Sequence, residues 1–311
     1  MFFVISGFIM VFIQPSPIDS CSSHLRFLIN RFTRIYPPLW IVMLALLPFW
    51  LVRPELFNHY YHNHVDIFRS FLLLPQDYTP LLLVAWTLIH EVYFYLVVTF
   101  ALMFTLRGRW VFGCAWFLIV LVVFSCFGET GFHRIRILQL IFSPFSLTFL
   151  LGYFIGLLSN QISKAPLSLA LGFLGAGVIG MAFGVAVPWP CPIGTYPDNN
   201  HLFRFVACGL PAAFLIASAI ALESRLPKLI LRLDFLGDIS YATYLIHLPF
   251  VIVFYLTLSK LHLNSPVLIA VAAVVCIVCC LTVSAVFHFC LESKLTRRCR
   301  KILENHFQLQ K

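Results

Sequence analysis

Long runs of apolar residues, separated by short polar breaks, recur along the whole chain. A transmembrane helix needs about 20 mostly apolar residues to cross about 30 Å of hydrocarbon. Eight runs approach this length, and a ninth, at the N-terminus, is shorter. The nine predicted segments are residues 1–13, 38–53, 81–106, 110–127, 144–159, 167–189, 203–222, 239–259 and 266–291.

These runs predict helices, because a barrel strand alternates apolar and polar residues over about ten positions. We therefore predict an all-α fold, a polytopic transmembrane bundle of about nine segments in a lipid bilayer. Composition agrees, since 61% of the residues are hydrophobic, 11% are charged and the mean hydropathy is +0.94. Soluble domains contain about 25% charged residues. Residues 1–293 are predicted to form one membrane domain, and residues 294–311 a basic tail.

Lys and Arg residues predict the orientation, because cytoplasmic loops carry an excess of both. One set of alternate loops, with the tail, contains fifteen of the 21 basic residues, and the other set contains six. The C-terminus is therefore predicted to be cytoplasmic. Counting back through nine segments places Met1 outside, so a cytoplasmic start would require one more helix upstream. The sequence contains no basic patch interleaved with aromatic residues, so it does not indicate nucleic-acid binding.

Cysteine and histidine patterns do not favour a metal site. Most of the ten cysteines lie within apolar runs, where they act as small hydrophobic residues. His59, His62 and His64 have a spacing closer to that of metal ligands, but loop histidines are usually solvated. We predict no metal and no bound cofactor.

Glu91 is an acidic residue deep within an apolar segment. A charge in hydrocarbon is costly, so an ionisable residue that remains there usually faces a cavity or a partner. Glu91 lies about ten residues from the outer end of its segment, which is roughly 15 Å deep. Thr87, Glu91 and Tyr95 share one helix face, whereas His90 is turned about 100° away. A structural role and a functional role for Glu91 both stay open.

A second polar stripe lies on a late segment, where Ser240, Tyr244 and His247 share a face at spacings of four and three. A single membrane histidine is more often a packing residue than a catalyst.

A third feature is basic. Arg31 and Arg34 lie three residues apart on one face at the predicted cytoplasmic surface, where planar guanidinium groups suit phosphate. On composition alone, an ordinary positive-inside flank with interfacial aromatic residues is the favoured explanation.

Four motifs, in this order, resemble those of the membrane acyltransferase 3 family, the O-acyltransferases of bacterial O-antigen and exopolysaccharide. They are FFVISGF at 2–8, RFTRIYP at 31–37, WTLIHEVYFY at 86–95 and SYATYLIH at 240–247. The resemblance covers residue 1 to about Glu292. It implies transfer of an acyl group, usually acetyl, from cytoplasmic acyl-CoA to a hydroxyl of a cell-surface polysaccharide or lipid-linked glycan. The implied location is the bacterial inner membrane.

The resemblance also implies roles for individual residues. The arginine pair would hold CoA phosphates, the fourth-helix motif would shape or polarise the central site, and the late-helix stripe would orient donor or acceptor groups. Substrate binding is accordingly expected of Arg31, Arg34, Trp86, Ser240 and Tyr244. Catalytic roles are expected of Glu91, Tyr95 and His247.

The N-terminus departs from the family pattern. Members usually begin with a helix that carries a basic residue and, eleven positions later, a histidine that acts as the catalytic base. This sequence starts after that point. The helix that the family pattern places before residue 1 is thus the same helix that the charge count requires upstream. Imidazole suits general-base catalysis near pH 7, whereas an ordinary carboxylate is too weak a base. We expect the chain as written to be weakly active or inactive; full activity would shift the base role to Glu91 or His247.

Two other classes of function also bury a few polar groups in a membrane. A multi-pass transporter is the main alternative, although no clear repeat relates the two halves of the sequence, as it does in many transporters. A scaffold subunit of a polysaccharide export system is the other. Replacement of Glu91 by Gln should leave a scaffold functional, whereas an enzyme should lose turnover.

Overall fold

The computed structural model describes residues 1–14, 21–56, 64–128, 135–186, 201–226, 234–261 and 265–307. Within these ranges the regular elements are all helical. The α-helices are α1 (Phe2–Ile13), α2 (Cys21–Val52), α3 (Ile67–Leu72), α4 (Ala85–Ala101), α5 (Leu106–Phe127), α6 (Arg136–Ile141), α7 (Phe145–Ile162), α8 (Leu167–Ala186), α9 (His201–Arg204), α10 (Leu210–Leu222), α11 (Asp234–Asp238), α12 (Ser240–Leu261), α13 (Pro266–Phe287) and α14 (Ser293–His306). Two π-helical turns, Phe205–Gly209 and His288–Glu292, join α9 to α10 and α13 to α14.

Among the described residues, seven helical stretches are long and apolar enough to cross a membrane. Two further apolar helices are shorter: α1 has 12 residues and α4 has 17. Together they correspond to the nine predicted segments, which confirms the prediction of an all-α polytopic bundle. The seven stretches are Ser22–Val52, Leu106–Phe127, Arg136–Ile162, Leu167–Ala186, Leu202–Arg225, Ser240–Lys260 and Pro266–His306.

The second helix is longer than its apolar run. The predicted segment began at residue 38, but α2 begins at Cys21 and continues through Pro37 and Pro38. Proline lacks an N–H group and usually interrupts a helix. In membranes such positions are tolerated, because neighbouring helices provide compensating hydrogen bonds. Beside the two prolines, the hydroxyl of Tyr241 donates to the carbonyl of Ile35 at 2.8 Å and so connects α2 with α12.

The last helix is also longer than predicted. Its apolar run ends at residue 291, yet the helix continues from α13 through the π-helical turn into α14, over 41 residues. A search for apolar runs misses α14 because ten of its fourteen residues are polar. Lys, Arg and Leu nevertheless favour helices, so the predicted tail is helical as far as His306.

The chain divides into two compact units. Unit 1 comprises Met1–His24 and Ile89–Pro227, and unit 2 comprises Leu25–Leu88 and Lys228–Lys311. Two of the three boundaries fall inside α2 and α4, and the third follows Pro227.

Glycines bring α1 and α7 of unit 1 into backbone contact. A Cβ atom at Gly7 would meet the backbone of Phe149, and one at Gly152 would meet the backbone of Val4. Gly152 and Gly156 form a G-x-x-x-G pair, a spacing that lets membrane helices approach closely. Close packing of this kind allows little sliding or rotation of α1 against α7.

A buried arginine fixes the end of α1. Arg109, on α5, is 1% exposed. Its guanidinium donates to the carbonyl of Gln14 at 3.2 Å and to that of Phe104 at 3.3 Å. Tyr153, on α7, donates its hydroxyl to the carbonyl of Arg109 at 3.0 Å. The ends of α1 and α5 are thus tied to the middle of α7.

In unit 2, α2 is held to α3 by two aromatic side chains. The indole N–H of Trp40 donates to the carbonyl of Phe71 at 2.8 Å, and the hydroxyl of Tyr36 donates to the carbonyl of Leu72 at 3.1 Å. These carbonyls lie at the C-terminal end of α3, where helix carbonyls lack intrahelical donors.

Candidate functional site

Glu91 is the centre of a polar group in unit 1. The Oε1 atom of its partly buried side chain accepts hydrogen bonds from Ser6 Oγ at 3.0 Å and from the hydroxyl of Tyr95 at 2.7 Å. Ser6 is 8% exposed and Tyr95 is 6% exposed. We call these three residues the carboxylate cluster. Tyr95 was predicted to lie beside Glu91, one turn later on the same face.

The position of Ser6 depends on how α1 packs. Gly7, the next residue, lies against the backbone of α7. Phe3, one turn earlier, packs against the rings of Phe94 at 5.7 Å and Phe145 at 5.1 Å. Because Gly7 and Phe3 hold α1 on either side of Ser6, the crossing of α1 and α7 directs the Ser6 hydroxyl at Glu91.

His90 lies in a different environment from Glu91. Its ring is 7% exposed and lies 5.8 Å from that of Phe3 and 5.3 Å from that of Phe145. The helical spacing predicted this separation, because consecutive residues point about 100° apart.

Tyr244, on α12, contacts the beginning of α4 within unit 2. Its hydroxyl hydrogen-bonds both Thr87 Oγ1 and the carbonyl of Val84. Thr87 also donates to Val84 at 3.1 Å. Tyr244 therefore joins two of the motifs that the sequence comparison singled out.

His247 is oriented by its own helix. Its Nδ1 atom lies 2.7 Å from the carbonyl oxygen of Tyr244 and 3.2 Å from that of Thr243. Carbonyl oxygens only accept hydrogen bonds, so Nδ1 must carry the proton to bond them. In the neutral ring the lone pair is then on Nε2, which is the tautomer that a base acting through Nε2 requires.

The remaining predicted residues differ in exposure. Ser240 is exposed, and its hydroxyl donates locally to the carbonyl of Gly237 at 2.6 Å. Arg31 is 6% exposed, with its guanidinium carbon 5.1 Å from the centre of the Phe27 ring. Arg34 is exposed. Trp86, in the first turn of α4, is partly buried.

The part of the chain that the structure describes contains no group of three or more His, Cys, Asp or Glu side chains arranged to hold a metal ion. Two members of the loop histidine trio, His59 and His62, lie outside the described residues.

Sequence reasoning did not single out Ser6 as a site residue. A signal was present, because Ser6 carries the only side-chain hydroxyl of α1, in an otherwise apolar helix. What the sequence lacked was the direction of that hydroxyl, which depends on the crossing of α1 and α7.

Comparison with known proteins assigns the chain to a family. The sequence model of a family described as an acyltransferase domain matches residues 1–285, which include all four motifs and every predicted site residue. No curated protein and no solved structure matches the chain. The chain therefore belongs to the membrane acyltransferase 3 family and is an acyltransferase.

Proposed function

We propose that this protein transfers an acyl group, in the first instance acetyl, from cytoplasmic acyl-CoA to a hydroxyl of a cell-surface polysaccharide or lipid-linked glycan at the bacterial inner membrane. The acceptor oxygen attacks the thioester carbonyl carbon, and a C–O bond forms as the C–S bond breaks. The proton of the acceptor hydroxyl passes to a base and then to the departing CoA thiolate. The products are an O-acyl glycan and free CoA.

The observation that carries this proposal is the carboxylate cluster within a chain of the acyltransferase family. An ionised carboxylate only accepts hydrogen bonds. Glu91 accepts two of them from hydroxyl groups, those of Ser6 and Tyr95. A group that already receives two hydroxyls is chemically suited to receive a sugar hydroxyl as well. We assign Glu91 and Tyr95 to orienting the acceptor.

His247 is our candidate for the general base of the chain as written, since activity without the upstream histidine of the family would shift this role to Glu91 or His247. Imidazole is effective in this role near pH 7, and the contacts of Nδ1 with Tyr244 and Thr243 leave the lone pair on Nε2. Tyr244, in turn, is held by Thr87 and Val84, so the turn that carries His247 is braced against α4.

The donor is assigned to the arginine pair. Arg34 is exposed and can reach a phosphate in solution, whereas Arg31 is buried beside Phe27. Guanidinium groups bind phosphate with two parallel hydrogen bonds. Arg34 is expected to govern capture of acyl-CoA, with a rise in KM when it is replaced, and Ser240 and Trp86 are expected to contact the substrates.

The proposal is tested with membranes from cells that express the chain. Acetyl-CoA labelled in the acetyl group is supplied with a glycan acceptor, and mass spectrometry follows both labelled glycan and free CoA. Replacement of Glu91 by Gln should lower the rate at least about 100-fold, the scale of loss when a positioned polar group is removed from a site. The matched control is Glu223→Gln, the same chemical change at an exposed residue of unit 1.

Three outcomes would contradict the proposal. Free CoA without labelled glycan would indicate hydrolysis rather than transfer. Movement of glycan across the membrane without consumption of acyl-CoA would favour a transporter. Full function of Glu91→Gln would favour a scaffold.

A further inference from the structure

The helical stretch that ends in α14 is too long to lie entirely in a membrane. It has 41 residues, which corresponds to roughly 60 Å of helix. The hydrocarbon region is about 30 Å thick. The apolar half, α13, matches that thickness, so α14 lies at and beyond the membrane surface. The family match ends at residue 285, before α14 begins.

One side of α14 and the preceding π-helical turn packs on α2. Glu304 lies 4.0 Å from Arg26. Glu292 is 7% exposed, is bonded to His288 at 3.0 Å, and is close enough to Arg34 for the two charges to interact. Arg26 precedes Arg34 along α2, whereas its partner Glu304 follows Glu292 along the C-terminal stretch. The two helices therefore run antiparallel. Thr296, Cys299 and Leu303 are partly buried on this side.

The opposite side carries a row of basic residues, all exposed: Lys294, Arg297, Arg298 and Lys301. Their spacing of i, i+3, i+4 and i+7 places them on one stripe. We call it the basic row. The row itself contains no acidic residue; Glu304, three residues after Lys301, lies at its edge and pairs with Arg26. Two exposed apolar residues, Leu291 at 47% and Ile302 at 67%, lie along its flank.

The position of the basic row distinguishes between possible anionic partners. Arg31 and Arg34, which are assigned to acyl-CoA, lie on α2, and the basic row faces away from α2. An apolar flank beside a basic stripe, where a helix leaves the hydrocarbon, is the arrangement found in helices that lie against lipid headgroups.

We propose that the basic row binds the phosphate groups of anionic phospholipids in the leaflet where α13 ends. Each basic residue near an anionic surface strengthens binding roughly fivefold, and the effect declines within a Debye length. Lys294, nearest to the end of α13, is expected to contribute most, and Lys301 least. The site is independent of the proposed acyl transfer.

The full chain tests this proposal. It is purified in a mild detergent with equal amounts of phosphatidylglycerol and phosphatidylcholine, and native mass spectrometry counts the lipids retained. The wild-type protein should prefer phosphatidylglycerol, and concentrated salt should reduce the preference by screening. The variant K294Q/R297Q/R298Q/K301Q should lose at least about 25-fold in preference, which is the effect of two full contributions of fivefold each. Two half-variants, K294Q/R297Q and R298Q/K301Q, should each lose part of the preference for phosphatidylglycerol. They replace the fourfold variant as the test if that variant does not fold.

The matched control removes the same charge at scattered exposed positions, in the variant R53Q/R107Q/K164Q/K260Q. Its lipid preference should resemble that of the wild type. Equal loss in this control would overturn the proposal, because net charge rather than the basic row would then explain binding. Undiminished retention in the fourfold variant would also overturn it. Retention with weakened acyl-CoA binding would instead assign the row to the donor.

Discussion

Glu91 and His247 are ionisable side chains on apolar helices, and they are held in different ways. Glu91 is bonded by Ser6 from another helix, 85 residues away in sequence, and by Tyr95 from its own. His247 is oriented by the carbonyls of its own preceding turn. The arrangement at Glu91 therefore depends on the packing of α1, whereas the tautomer of His247 is a local property of α12. Damage to unit 1 and damage to α12 should consequently have different effects.

The largest effect is expected from His247→Ala. If Nε2 accepts the proton of the acceptor hydroxyl, turnover should fall about 10²- to 10⁴-fold with little change in KM. The measurement is the rate of labelled acetyl transfer across a pH range, and added imidazole should restore part of it. His306→Ala, at an exposed position of α14, is the control. Unchanged turnover in His247→Ala would make this residue a packing residue.

Gly152→Ala should disturb the packing of α1 against α7, on which the arrangement at Glu91 depends. Its Cβ would meet backbone atoms of α1, and such overpacking costs about 1–3 kcal/mol of stability. The unfolding midpoint in detergent should fall, and turnover should fall with it because Ser6 moves away from Glu91. Gly172→Ala is the matched control, since a Cβ there has nothing within 4 Å. Equal destabilisation by both substitutions would show that the α1 crossing is not the cause.

Ser6→Ala should give a smaller loss, confined to the chemistry of the carboxylate cluster. Removing one of two hydroxyl donors should lower kcat about tenfold, which is about 1.4 kcal/mol. In combination with Glu91→Gln the loss should be less than additive, because Glu91→Gln replaces the charged acceptor by a neutral one and so weakens the bond that Ser6→Ala removes. Ser146→Ala, a buried serine of α7 whose hydroxyl bonds no group in the described ranges, should have no such coupling. Strict additivity would mean that Ser6 acts independently of Glu91.

The smallest effect is expected from Tyr244→Phe. The loss of the bonds to Thr87 and Val84 should cost about 1 kcal/mol of stability, with turnover reduced less than about threefold because the bonds at His247 Nδ1 remain. Thermal unfolding and kcat measure the two effects. Tyr255→Phe, on the same helix but 71% exposed, is the control. A loss of turnover as large as that in His247→Ala would give Tyr244 a direct role with substrate.

Much of the fold followed from hydropathy. A helix in hydrocarbon must satisfy its own backbone groups and be apolar around most of its surface, so each span left a visible run. The boundaries of α2 and of the last helix did not follow, because Pro37 and Pro38 resemble a break and α14 is polar. α2 continues through its prolines beside the contact from Tyr241, and α14 is helical because Lys, Arg and Leu favour helices.

The candidate site was predictable in part. Helical periodicity placed Tyr95 beside Glu91 and separated His90 from both, because these relations lie within one turn or two. Periodicity also placed Arg31 and Arg34 on one face. It did not predict that Arg31 is buried and Arg34 exposed, because burial depends on the helices around α2.

The sequence by itself therefore determined the class of protein, the number of apolar segments, the family and the residues that share a helix face. The class, the segments and the shared faces follow from local composition and from a repeat of 3.6 residues per turn. The family follows from the resemblance of four ordered motifs. Only the tertiary structure brought Ser6 to Glu91, Tyr244 to Thr87, and Glu304 to Arg26. Those contacts arise where helices cross, and the crossings depend on which side chains are small enough to let two backbones approach, as Gly7 and Gly152 do.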